Sequence, residues 1–168
     1  MRVTMDNETS IESLAVRLGN QLKARGLTLS TAESCTGGGI AAILTDIPGA
    51  SEWFSGGFVT YSNEWKMKQL DVSAETLERY GAVSSQTVGE MLDGLLENGG
   101  ADLGIAVSGI AGPGGGTPEK PVGTVYIGVA RKDWKWVQCF KFEGGRSDVR
   151  RATAQTALKM MLEEIKKI

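Results

Sequence analysis

Apolar residues fall on one helical stripe at the start of the chain: Ile11, Leu14, Ala15, Leu18 and Leu22. The spacing predicts a helix over Ser10–Arg25, with Thr9 and Glu12 as a capping box and Gly26 as its C-cap. Leu27 to Ala32 is short and rich in Leu and Thr, which predicts a strand. Gly37 to Gly39 break the chain before Ile40, Ile43, Leu44 and Ile47, a short second helix that Pro48-Gly49 ends. Phe58 to Ser62 ("FVTYS") predicts a second strand, and Asn63 is placed to cap the helix "EWKMKQL". Ser73 opens another helix that stops at Gly81. From about Ser85 a longer helix carries Val88, Met91, Leu92, Leu95 and Leu96 on one face.

Leu103 to Val107 predicts a buried strand that leads into "SGIAGPGGGTPEKPVG". That run is too irregular for helix or strand and reads as a surface loop. Val122 to Ala130 and Trp134 to Phe142 predict two strands joined by the turn "RKD". Trp134, Trp136, Phe140 and Phe142 share one face by period-two alternation. A last helix starts near Ser147. Interleaved helices ending in a strand hairpin predict an α/β fold, a three-layer α/β/α sandwich with a mixed sheet. With no repeat and no linker, residues 1–168 read as one domain.

Composition narrows the chemistry more than the fold. The chain has 168 residues and a net charge of −2 with both signs scattered, which argues against nucleic-acid binding. No apolar run approaches the ~20 residues of a membrane helix, and the first residues lack a signal-peptide core. The two cysteines, Cys35 and Cys139, fit a reduced cytoplasmic protein. There is no histidine. A Ser-His-Asp triad, a Cys-His dyad and a histidine-bound zinc are therefore impossible within the chain. Any general base must be Lys, Tyr, Asp, Glu or a metal-bound water held by oxygens.

Three segments place small polar residues and glycines directly after a predicted strand: "ESCTGGG", "YSNEWK" and "SGIAGPGGG". In α/β sheets, ligands bind beyond the carboxyl ends of strands. Gly37 to Gly39 precede a helix whose first amides could attract an anion. Cys35 reads as a buried apolar side chain rather than a thiolate, and Cys139 as a structural residue of a strand. Ser34 and Ser51 are both hydroxyl candidates, and these observations do not choose between them. Lys66 is the lysine to serve as base, because burial lowers an amine's pKa. Tyr61, five positions before it, could orient it. Arg146, Arg150 and Arg151 surround the start of the last helix, against its dipole, an arrangement that suits phosphate binding.

"AESCTGG", "TDIPGAS", "GFVTYSNE.K", "GAVS", "SGIAGPGGG", "KPVGTVYIG" and "R.DVR" together resemble the CinA C-terminal domain family. The motifs run in the family's order from about residue 10 to 165, and the chain resembles the family's stand-alone form. The resemblance implies an α/β/α fold, a homo-oligomer (dimer or higher) and no cofactor. It also implies hydrolysis of nicotinamide mononucleotide to nicotinic acid mononucleotide and ammonia, in pyridine-nucleotide salvage. On it, Ser51 is the nucleophile, Lys66 the base and Tyr61 its aid, with Ser34 the competing nucleophile. Thr36, Gly37, Gly38, Asn63, Ser108, Gly109 and Arg150 match substrate-binding positions, and no metal is required. A non-catalytic nucleotide-binding or regulatory module would use the same loops without turnover.

Overall fold

The computed structural model describes residues 10–168. Thr9, and with it the expected capping box, lies outside them. Ser10 caps α1 (Ile11–Arg25), its hydroxyl accepting from the Ser13 amide at 3.1 Å, and Gly26 ends the helix in the left-handed region. There follow β1 (Leu29–Glu33), α2 (Gly39–Thr45), a 3₁₀ turn (Ala50–Glu52), β2 (Phe54–Val59), α3 (Asn63–Leu70), α4 (Ala74–Tyr80) and α5 (Ser85–Gly99). The chain continues through β3 (Leu103–Gly109), β4 (Thr124–Arg131), β5 (Trp134–Lys141) and α6 (Arg146–Ile165). The five strands form one mixed sheet in the order β2-β1-β3-β4-β5. β1 runs parallel to both β2 and β3; β4 and β5 are antiparallel to their neighbours.

The two faces of the sheet are covered differently. Leu103, Ile105 and Val107 of β3 and Val125, Ile127 and Val129 of β4 pack against α1, α2 and α6. The alternate positions, Ala32, Ala106 and Ala130, meet Leu70 of α3 and Val88, Met91, Leu92 and Leu95 of α5. Period-two alternation thus sends bulky side chains to one layer and small ones to the other. The small ones let α5 lie close to the sheet. Its four core side chains are fully covered, and each such burial is worth about 2 kcal/mol. Where α5 crosses α3, Gly94 touches backbone: a Cβ there would lie 1.9 Å from the Leu70 carbonyl oxygen.

Three local expectations need correction. The second strand spans Phe54–Val59 rather than 58–62. Gly56 and Gly57 disguise it, yet glycine is needed there, because a Cβ on Gly57 would meet Thr31 Oγ1 at 2.5 Å. Tyr61 and Ser62 consequently leave the sheet, and Ser62 rather than Asn63 caps α3, accepting from the Trp65 amide at 3.1 Å. Cys139 does lie in a strand, but on the edge strand β5 and exposed, so it is no core residue.

The connections fix where a ligand can enter. β1 passes to β2 through α2 on one face, and β2 passes back to β3 through α5 on the other. Strand order therefore reverses between β1 and β3. The crevice beyond the carboxyl ends of those two strands is the topological switch point, where open α/β sheets bind ligands.

Candidate active site

Ser34 follows β1 at that switch point. Its amide donates to the Val107 carbonyl of β3 at 3.1 Å, which continues the ladder one residue past the strand. Alternation then separates two adjacent polar side chains. Glu33 turns to the α2 side, and Ser34 turns to the α3 side.

Lys66 approaches Ser34 from α3. It sits one turn before Leu70 on the inward stripe of that helix and is only 1% exposed, among the largest fully buried side chains of the molecule. Its Nζ lies 3.0 Å from Ser34 Oγ, 2.7 Å from the Thr60 carbonyl and 3.4 Å from the Tyr61 carbonyl. Burial pushes the amine down from its ordinary 10.5 to about 8. At pH 7 about a tenth of the molecules would then hold it neutral. In that form two N–H groups can still donate to the two carbonyls, which leaves the lone pair for the serine proton.

The same cavity, about 280 Å³, is bordered by Ser34, Cys35, Tyr61 and Lys66, by Ala82 and Val83, by the 108–115 loop and by Arg146. All three segments that follow parallel strands thus meet there. A larger open groove of about 870 Å³ lies at the opposite end of the sheet, around Leu27, Glu97, Asp102, Arg131 and Trp134, but among the described residues no hydroxyl or thiol lines it. The smaller cavity is therefore the one equipped for covalent chemistry.

Ser51 lies elsewhere. It occupies the exposed 3₁₀ turn before β2, whereas Tyr61 and Lys66 follow β2. The full length of that strand, about 20 Å at ~3.3 Å per residue, stands between them. The expected Ser51–Lys66 pair is thereby corrected: the hydroxyl beside the lysine is that of Ser34. The "PGAS" turn instead brings the chain into β2, with the Leu29 amide donating to the Trp53 carbonyl at 2.8 Å.

The first loop also differs from its expected role. Glu33, 1% exposed, accepts from Thr36 Oγ1 at 2.7 Å, from the Ile40 amide at 2.8 Å and from the Ala41 amide at 2.9 Å. A side-chain carboxylate thus occupies the start of α2, where an anionic ligand was expected. Gly37 and Gly38 have φ of 59° and 93°, so they make the turn that brings α2 back onto Glu33. Thr36 and the glycines shape the turn around Ser34 and do not line the cavity.

The remaining expected residues divide. Tyr61, Ser108 and Gly109 border the cavity, and Ser108 is 1% exposed. Gly109 is required by β4, since a Cβ would lie 2.6 Å from Val125 Cγ2. Asn63 is an exposed first residue of α3, outside the lining. Arg150 donates to the Thr36 carbonyl at 2.9 Å and lies behind the loop rather than in the cavity. Cys35 is buried and its thiol is pushed up to about 11, chiefly by burial, so it remains protonated at neutral pH. Glu33 is a functional position with no sequence signal, since it ends β1 six residues before α2 begins and the intervening turn brings the two together. Of the three arginines around the start of α6, Arg146 is the one that borders the cavity.

No helix among the described residues is long and apolar enough to cross a membrane. The model of the CinA C-terminal domain matches residues 11–165. The chain is 51% identical over 159 residues to the nicotinamide-nucleotide amidohydrolase PncC of Enterobacter agglomerans, covering 94% of this chain and 97% of that protein. A CinA-like protein of Desulfotalea psychrophila is 47% identical over 150 residues, which are 89% of this chain but 36% of that longer protein. Among solved structures, the competence/damage inducible protein CihA of Agrobacterium tumefaciens superposes with a TM-score of 0.90 at 43% identity, covering 99% of both chains. A CinA superfamily protein of Klebsiella pneumoniae gives 0.92 at 38% identity, covering 95% of this chain and 99% of that one.

Proposed function

The chain belongs to the CinA C-terminal domain family, and we propose that it hydrolyses the carboxamide of nicotinamide mononucleotide to nicotinic acid mononucleotide and ammonia. We assign the nucleophile to Ser34 and the general base to Lys66. The observation that carries this assignment is the buried contact of 3.0 Å between Lys66 Nζ and Ser34 Oγ, with the amine pushed down to about 8. The relative of 51% identity named as a nicotinamide-nucleotide amidohydrolase supports the substrate.

Neutral Lys66 takes the Ser34 proton as Oγ bonds to the carboxamide carbon. The resulting ammonium gives that proton to the leaving nitrogen as the C–N bond breaks, and ammonia departs. Water then attacks the Ser34 ester, Lys66 takes one proton from it, and that proton returns to Ser34 Oγ as the carboxylic acid leaves and gives its remaining proton to solvent. Backbone amides of the two glycine-bearing loops beside Ser34 are the donors we assign to the developing oxyanion. Tyr61 acts through its backbone carbonyl, which holds Lys66, rather than as a proton carrier. This activity belongs to pyridine-nucleotide salvage in the cytoplasm. The exposed Val59, Tyr61 and Trp65 near the edge strand β2 are the surface on which we expect copies of the chain to associate.

Ammonia release from nicotinamide mononucleotide tests the reading. Wild-type protein should release it, and Ser34→Ala and Lys66→Ala should not. Binding of the mononucleotide without turnover by wild-type protein would indicate a regulatory module instead. Full activity in both folded variants would overturn the assignment.

A further inference from the structure

Resting on the amidase reading, we infer that Arg146 determines specificity for a phosphorylated substrate, by pairing with the 5′-phosphate of a mononucleotide at the mouth of the cavity. Three observations lead there. First, among the described residues Arg146 and Lys66 are the only cationic side chains that border the cavity, and Lys66 is buried and committed to Ser34. Second, the other two places where an anion was expected are taken. The start of α2 is filled by Glu33, and Arg150 is bonded to the Thr36 carbonyl outside the cavity.

Third, Arg146 is held without being neutralised. Its NH1 donates to the Gly112 carbonyl at 2.8 Å and its NH2 to Tyr61 Oη at 2.9 Å. Both partners are uncharged acceptors, and among the described residues no ion pair with Arg146 is formed. Two of the five guanidinium N–H groups are used in this way, so three remain for an anion. The two bonds also fix the plane of the guanidinium between the 108–115 loop and the segment before α3. Such a preset fork suits the tetrahedral oxygens of phosphate better than a mobile lysine would.

Arg146 also touches the machinery indirectly. Tyr61 receives Arg146 on its phenol while its carbonyl receives Lys66. Loss of Arg146 could therefore lower activity through Tyr61 alone, and the test must separate that route from phosphate pairing.

The experiment compares two substrates that differ only in the phosphate, nicotinamide mononucleotide and nicotinamide riboside, on wild-type protein and on Arg146→Gln and Arg146→Lys. If Arg146 pairs with the phosphate, Arg146→Gln lowers kcat/KM for the mononucleotide by about 10-fold, chiefly through KM, as expected for one charged hydrogen-bonding partner in a solvent-accessible place. The riboside value stays within about twofold, and Arg146→Lys recovers part of the loss because it keeps the charge. Equal losses on both substrates would assign Arg146 to holding Tyr61 and overturn the proposal, as would no loss on either. Calorimetric binding of the two compounds to wild-type protein and Arg146→Gln supplies a readout independent of turnover. If ammonia is never released, the amidase reading fails by itself. The phosphate assignment then stands or falls on whether Arg146→Gln weakens the mononucleotide selectively.

Discussion

Replacing Lys66 by Met removes the base and also removes a desolvated charge, so the two effects can be read separately. Met retains most of the apolar stem that packs in line with Leu70. The amine is pushed from 10.5 down to about 8 by burial. The folded protein therefore binds fewer protons at this site than the unfolded chain between those two values. Stability contributed by this site must rise with pH across that window, because unfolding takes up a proton there and that uptake becomes less favourable as pH rises. At about 1.4 kcal/mol per pH unit, the whole displacement amounts to about 3 kcal/mol. Of this, about 1 kcal/mol is recovered between pH 7 and pH 9. Orphaning the Thr60 carbonyl in Lys66→Met adds a cost of about 1–3 kcal/mol, but one that does not titrate. The difference between wild type and variant as a function of pH thus isolates the lysine. Urea unfolding followed by tryptophan fluorescence at pH 7, 8 and 9 measures it. The account expects wild type to gain about 1 kcal/mol on Lys66→Met over that range, and ammonia release to be lost in the variant. Parallel pH profiles for the two proteins would refute the claim that the folded state depresses this amine.

Other expectations follow from the same geometry. In wild type, kcat/KM for the mononucleotide should rise with pH to a midpoint at about 8 as Lys66 becomes neutral, and a profile flat from pH 6 to 9 would count against Lys66 as base. Glu33→Gln should cost about 2–4 kcal/mol of stability in urea unfolding, because it weakens a buried acceptor of two amides and a hydroxyl; a loss below ~0.5 kcal/mol would show that the start of α2 does not depend on it. A thiol reagent at neutral pH should label one cysteine per native chain, Cys139, and both on unfolding, since Cys35 is buried with its thiol pushed up to about 11. Fast labelling of Cys35 in the native state would contradict its burial.

Much of this molecule can be read without coordinates because its long elements are strongly patterned. Ile11 to Leu22 and Val88 to Leu95 are periodic enough to set α1 and α5, and the small-for-large alternation along β3 sets its two faces. What escaped reading has physical causes. β2 is masked by Gly56 and Gly57, whose presence reflects contact with Thr31 rather than a turn. The pairing of Ser34 with Lys66 joins residues 32 apart across a crossover, and a motif shows which residues are present without showing at which end of a strand each one lies. Ser51 and Ser34 stand at opposite ends of parallel neighbours, so the two hydroxyls are equivalent as letters and quite different in place. The role of Glu33 is not legible because, besides the Thr36 hydroxyl, its close partners are backbone amides, which nearly every residue possesses.

The central claim is that Ser34 carries the acyl group. Turnover of nicotinamide mononucleotide can be quenched with acid and the digested protein analysed by fragmentation mass spectrometry. The account predicts an ester on Ser34, equal in mass to the substrate less ammonia, which is absent from Ser34→Ala and retained in Ser51→Ala. An ester on Ser51, or a thioester on Cys35, would contradict it.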